Sequence, residues 1–428
     1  MHENFSINIL KSLFFLIPIG LVTGPFIPDL AVTIMTLIFI ILSKKENLWK
    51  KYYDNSVIKL LFLLNLYLII ISLFSENILL SLKSSIFYFR FTIFSIVIWY
   101  LLDQGGKSFK KNYAIYLIFL FIALSIDAIF QYCLGQNIIG MKMVHSDRVS
   151  SFFGDQLVLG SYQSRLLILI LGLYLSLSVF KKNLLIFNIF FLLTFGSIFL
   201  SGERTSFALL VLSTSLFYFI SRLSIKFLTP LILSFLLIFV IAYSNKEMRY
   251  RFFIEPLHQS NIATENLLNK YKPQLKGYIH EDKEILIFSK EHTAHYKTAF
   301  KIFLDNPIIG VGPKMFRVRC SEKKYNSGEN SCTTHPHNVL LQILAETGLI
   351  GFIFYLVIIY FVIKNMYKIL KKKETEINYM KLSCIILIFV NLFPFVPSGN
   401  IFNNWLSIIF YLPLGFYLYS SSVEKLKT

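Results

Sequence analysis

Leu60-Leu61-Phe62-Leu63-Leu64-Asn65-Leu66-Tyr67-Leu68-Ile69-Ile70-Ile71-Ser72-Leu73 decides the class of fold. The run carries no charge, and similarly apolar runs recur at 113–128, with Asp127 its one charge, 166–180, 228–243, 350–363 and 382–395. Each approaches or reaches the roughly 20 residues that cross about 30 Å of hydrocarbon. A lone span satisfies its backbone in lipid only as a helix. Spans are therefore expected near 7–24, 27–43, 57–75, 84–102, 112–133, 157–180, 184–200, 204–222, 226–244, 349–370, 379–397 and 401–420. The apolar run at 9–22 is followed by another span and not by an A-x-A-like cleavage site, so it reads as a retained helix.

Composition agrees. The 428 residues are 55% hydrophobic and 15% charged, with a mean hydropathy of +0.61, which excludes a water-soluble globule of this length. The expected fold is an all-α polytopic membrane protein of about twelve transmembrane helices, with one large loop containing short helices. It divides into 1–244 with nine spans, the loop 245–348, and 349–428 with three spans.

A net charge of +18 invites a nucleic-acid reading until the basic residues are sorted by loop. Lys44, Lys45, Lys50 and Lys51 follow the second span, Lys107, Lys110 and Lys111 the fourth, and Lys181 and Lys182 the sixth. Arg222 and Lys226 join the eighth to the ninth; Lys364, Lys368, Lys371, Lys372 and Lys373 follow the tenth; Lys425 and Lys427 close the chain. The intervening short loops hold few cations, Lys83, Lys142, Arg148 and Arg204 among them. The positive-inside rule then sets both termini in the cytoplasm and the long loop outside.

Outside, disulfides persist, so Cys320 and Cys332 are expected to pair and to contribute roughly 2–3 kcal/mol to loop order. The competing reading is a zinc site of Cys320, Cys332, His335 and His337, whose spacing matches no standard module. Cys133 and Cys384 lie in or at the end of spans and read as packing residues.

The loop itself carries structure. Tyr296, Ala299, Phe300 and Phe303 form a helical stripe, which Asp305-Asn306-Pro307 ends and the turn Gly310-Val311-Gly312-Pro313 follows. Pro336 and Asn338 mark a second helix start, Leu340, Leu341 and Leu344 give it an apolar face, and Gly348 fits its C-cap. His337 thus stands at a helix N-terminus, which favours anions and disfavours an imidazolium. A histidine kept neutral is a candidate general base. The plain alternative is that His335 and His337 cap the helix or meet headgroups.

Arg204 follows Ser201-Gly202-Glu203 at the outer end of a span, where a charge faces a polar cavity, an anionic partner or, more simply, headgroups or Glu203. Arg148, Arg249, Arg251, Lys297, Lys314, Arg317 and Arg319 are expected on the same side. Such a set suits a phosphate or pyrophosphate, which arginine binds in bidentate fashion; a solvated loop on anionic lipid is the bland alternative.

The two loop motifs resemble the O-antigen ligase and polymerase family of bacterial envelope enzymes. The resemblance rests on His337-Asn338 with Leu341, Leu344, Glu346, Gly348 and Gly351, and on Phe303-Leu304-Asp305-Asn306-Pro307-Ile308-Ile309-Gly310-Val311-Gly312 with Phe316. It implies a protein of the bacterial inner membrane whose large loop faces the periplasm. The implied activity is transfer of a glycan from undecaprenyl pyrophosphate to lipid A core in a ligase, or to a growing glycan in a polymerase. It also implies an inverting reaction with neither cofactor nor metal, and with no nucleic acid as partner. By position, Arg204 becomes a pyrophosphate ligand and His337 the base, with Arg148, His335 and Asn338 as further substrate contacts. Where many relatives carry an arginine four residues before the aromatic, this chain has His292 before Tyr296, and His292, His295, Arg317 or Arg319 inherits that role. A transporter or flippase of a lipid-linked sugar or other anion is the reading from another class, though no repeat relates the two halves.

Overall fold

The computed structural model describes residues 2–177, 184–224, 228–260, 286–373 and 376–426. Within them the chain is helical: α1 (His2–Thr23), α2 (Phe26–Lys45), α3 (Ser56–Leu73), α4 (Ile78–Ser85), α5 (Phe89–Leu134), α6 (Leu159–Ser176) and α7 (Leu184–Leu200). There follow α8 (Arg204–Ser221), α9 (Thr229–Ser244), α10 (Lys246–Gln259), α11 (Lys290–Asp305), α12 (Val339–Leu370), α13 (Tyr379–Asn391) and α14 (Asn404–Lys425). Eight helical stretches among the described residues are long and apolar enough to cross a bilayer, and α9 with α10, bent by 106°, makes up to nine. The chain is an all-α polytopic membrane protein.

Three elements depart from expectation. The spans at 84–102 and 112–133 are not separated by a loop. The helix ladder runs on through Lys107–Lys111 as α5, broken only at Gly106 (φ 57°, ψ −146°). A straight helix of that length would reach about 69 Å, twice the hydrocarbon thickness, so the break is what lets both halves lie within one bundle. The span at 379–397 stops at Asn391, because Pro394 supplies no N–H to prolong it. The span at 349–370 is continuous, through a break at Gly348, with the loop helix before it.

Close helix contact is made at small residues, as expected where lipid removes the hydrophobic drive between helices. A Cβ on Gly415 of α14 would lie 2.7 Å from the Ser95 carbonyl of α5, and one on Gly172 of α6 would lie 2.8 Å from the Tyr379 carbonyl of α13. Aromatic stacking fills the centre, with Phe14 of α1 4.4 Å from Tyr113 and 6.3 Å from Phe416.

The basic loops meet at one end of the bundle. Lys51 pairs with Asp103 (2.9 Å), Lys110 donates to the Tyr419 hydroxyl (2.9 Å), Arg222 to the Leu370 carbonyl (2.6 Å), and Lys381 to Glu424 (2.6 Å). Lys181, Lys182, Lys226 and Lys427 lie outside the described residues, as does most of the polar segment 261–287. The opposite end carries α10, α11 and the start of α12.

Candidate active site

The break at Gly348 leaves backbone groups of α12 without helical partners, and such groups must be satisfied elsewhere. Segment 307–312 supplies them. Val311 and Gly312 donate to the Ala345 and Glu346 carbonyls (3.0 and 2.8 Å), while Leu349 and Ile350 donate to the Pro307 and Ile308 carbonyls (2.8 and 3.2 Å). The two motifs quoted from the sequence are thus one structural unit.

Glu346, with no exposed surface, fastens the unit further. Its carboxylate accepts from the Phe316 amide (3.0 Å) and from Gln342 Nε2 (2.9 Å). Gln342 in turn donates to Asn400 (2.8 Å) and accepts from the Ile401 amide (3.2 Å), tying in the segment that follows α13.

His337 lies where these pieces converge. Asn338 is the N-cap of α12: its Oδ1 accepts from the Leu341 amide (3.0 Å), and its Nδ2 donates to the Pro394 carbonyl (2.7 Å). His337 takes φ 55°, a left-handed conformation uncommon outside glycine and characteristic of functional positions. Its carbonyl is held by the Ser398 amide (2.9 Å) and the Tyr296 hydroxyl (3.4 Å).

Around it stand three more imidazoles, with ring centroids 4.0 Å away for His335, 5.3 Å for His295 and 5.6 Å for His292. His292 and His295 share one face of α11, whose N-cap Ser289 bonds the His292 amide (3.3 Å) and lies 2.8 Å from its Nδ1. Burial, reinforced by His335, His292 and His295, lowers the pKa of His337 from 6.5 to about 3. Burial is also the main reason that His335 falls to about 4, with Arg317 and His295 adding to it. His292 is lowered by burial, His295 and Arg204, and His295 by burial. The histidines are neutral at pH 7, each with a lone pair to offer. The cause is chiefly desolvation and mutual repulsion, a wider origin than the helix terminus alone.

Two of the cations named from the sequence flank this cluster: Arg204 on the His292 side and Arg317 on the His335 side, each near enough to lower its neighbour's pKa. Arg204 begins α8 and donates to Gln259 of α10 (2.9 Å), with Glu255 at 3.9 Å. Arg148 braces the turn before α8 by donating to the Ser201 and Leu157 carbonyls (3.3 and 3.4 Å). Arg319 turns to Glu76 (3.2 Å), Glu322 and the Tyr325 hydroxyl (3.0 Å) in the loop's own small core. Beside it Cys320 and Cys332 form a disulfide, so neither offers a thiolate to zinc.

Glu203, which the sequence offered only as a partner for Arg204, has another role, and Arg165 escaped the sequence reading. Glu203 accepts from the Gly160 and Ser161 amides (2.7 and 3.1 Å), capping α6 from the neighbouring helix. Arg165, one turn further into α6, is buried. A lone charged residue at the head of a long apolar run was the only signal for it.

Fold and site together define a multi-pass membrane protein with a half-buried histidine cluster, flanked by arginines, at one end of its bundle. Residues 189–356, which include Arg204, the histidines and both loop motifs, match the family model described as O-antigen ligase. That stretch of the chain is similar to the O-antigen ligase family, which supports a function of the O-antigen ligase or polymerase type. No curated protein matches the chain.

Proposed function

We propose that this chain is a glycosyltransferase of the bacterial inner membrane that moves a glycan from undecaprenyl pyrophosphate to an acceptor hydroxyl on the periplasmic side. Lipid A core is the first-choice acceptor, which makes it a ligase; a growing glycan, the polymerase reaction, comes second. The observation that carries this reading is the set of neutral histidines around His337, flanked by Arg204 and Arg317, inside the family-matched stretch.

In this reading His337 takes the proton of the acceptor hydroxyl as that oxygen attacks the anomeric carbon from the face opposite the leaving group. The bond from carbon to pyrophosphate oxygen breaks, its electron pair leaves with undecaprenyl pyrophosphate, and the anomeric centre inverts. Arg204 meets the charge that develops on the leaving group, in a site whose burial strengthens that attraction. A base with a pKa of about 3 is weak in the empty site. An arriving pyrophosphate raises that pKa by stabilising the imidazolium, so the donor itself activates the base. The chemistry needs no nucleotide, cofactor or metal.

The test is purified protein supplied with the native undecaprenyl-pyrophosphate-linked glycan and, in separate tubes, lipid A core or no added acceptor. A shift of glycan onto lipid A core supports the ligase; chain extension without added acceptor supports the polymerase. No covalent transfer in either tube, with donor carried across a vesicle membrane instead, overturns the reading in favour of a transporter.

A further inference from the structure

Arg165 has no role in the scheme above, yet its position is costly. Only 6% of it is exposed, and it sits in a spanning helix, where a charge is expensive and marks function by default. Its Nε donates to Asn391 Oδ1 of α13 (3.0 Å), and one terminal nitrogen reaches the carbonyl (3.4 Å) and hydroxyl of Ser161. Neutral partners do not offset a buried charge. Among the described residues it forms no ion pair. The nearby carboxylate, Glu203, spends its oxygens on the Gly160 and Ser161 amides and the Ser206 hydroxyl.

Arg165 lines a cavity of about 110 Å³ between α3, α12 and α14, walled by apolar side chains such as Leu64, Leu68, Phe354 and Phe410. It is the only charged residue on that wall among the described residues. A second apolar cavity shares Leu61, Ile358 and Phe410 and continues past Leu60 and Val362 towards the lysine-rich end. Ser398 lies on the first wall too, and its amide holds the His337 carbonyl (2.9 Å). The passage therefore has a long apolar body and a cationic, polar mouth joined to the histidine cluster. That shape fits an amphiphile with an extended hydrocarbon chain and an anionic head, and a guanidinium matches phosphate oxygens in bidentate fashion.

We propose that Arg165 binds a phosphate of a polyisoprenyl pyrophosphate whose chain occupies this cavity, making it a donor-binding residue in addition to Arg204. The inference rests on the donor class proposed above. The experiment measures binding to the full-length protein in nanodiscs of uncharged lipid, with undecaprenyl pyrophosphate, uncharged undecaprenol, inorganic pyrophosphate and phosphatidylglycerol as separate ligands. Wild type is compared with Arg165→Met and Arg165→Lys, and melting is recorded for each.

Undecaprenyl pyrophosphate is expected to bind Arg165→Met about 10- to 100-fold more weakly than wild type, the range for losing hydrogen bonds to a charged group. Arg165→Lys is expected to recover part of the loss. Undecaprenol should bind all three alike, inorganic pyrophosphate and phosphatidylglycerol weakly, and the donor KM should rise more than kcat falls. Equal undecaprenyl pyrophosphate binding by wild type and either variant overturns the proposal. So does an equal loss of undecaprenol binding, which marks Arg165 as a mere pin between α6 and α13, and so does phosphatidylglycerol binding as tightly as the pyrophosphate. Wild type that binds the pyrophosphate through Arg165 without transferring glycan sinks the proposed reaction and leaves this site standing.

Discussion

Gly310 and Gly348 meet backbone to backbone: a Cβ on either would lie 2.6 Å from the amide nitrogen of the other. Both have positive φ, 70° and 62°. Their contact fastens the turn after α11 to the break in α12, and so fixes His292 and His295 relative to His337. Gly348 has ψ −164°, in a region that is essentially reserved for glycine. Gly348→Ala is therefore expected to cost about 2–4 kcal/mol from strain and overlap together, read as a lower melting temperature and lower abundance in the membrane. Wild-type melting would show that the stitch between the motifs does not hold the site.

The pH dependence follows from the depressed histidine pKa values. Because His337 and His335 titrate near 3 and 4 in the folded protein and near 6.5 when unfolded, the unfolded state binds more protons between those limits. Their contribution to stability is complete above about 6.5 and declines as pH falls towards 3. In catalysis, the acid limb of kcat/KM, which reports the free enzyme, is expected well below pH 6.5. The acid limb of kcat, which reports the donor-bound enzyme, is expected at higher pH because the pyrophosphate raises the base. Coincident limbs near 6.5 would mean an ordinary exposed imidazole.

Much of the fold was legible because a charge-free run long enough to cross lipid has few alternatives. What the sequence hid was continuity. Lys107, Lys110 and Lys111 read as a loop, yet only Gly106 leaves the helical ladder, and the end of α13 was set by one proline. At the site, His337 and Asn338 were visible through their motif, whereas the approach of His292 and His295 depends on how α11 docks. Whether a cation is already partnered is likewise a tertiary matter: Arg319 is taken by Glu76 and Glu322, and Arg165, among the described residues, by no carboxylate. A single charge at the head of a span barely changes the hydropathy around it.

The Cys320–Cys332 bond closes a short ring under the loop core of Phe316 and Tyr325. Cys332→Ser is expected to remove about 2–3 kcal/mol from this core. Hydrogen exchange across 316–332 reads the change, and faster exchange confined to that segment is the expected result. Unchanged exchange would mean that Arg319 and Tyr325 hold the loop by themselves.

Lys297 is an exposed position on α11. A cysteine in its place is expected to react with an impermeant thiol reagent in cells whose outer membrane alone has been opened. Reaction only after the inner membrane is breached would reverse the topology and move the site to the cytoplasm.

The most direct test of the central claim counts glycan transferred and undecaprenyl pyrophosphate released in the same reaction, with wild type and His337→Ala of equal melting temperature. The account predicts one lipid pyrophosphate per glycan transferred by wild type, and a rate about 100- to 10,000-fold lower in the variant. Transfer by His337→Ala at the wild-type rate, or release of a lipid monophosphate instead, would contradict it.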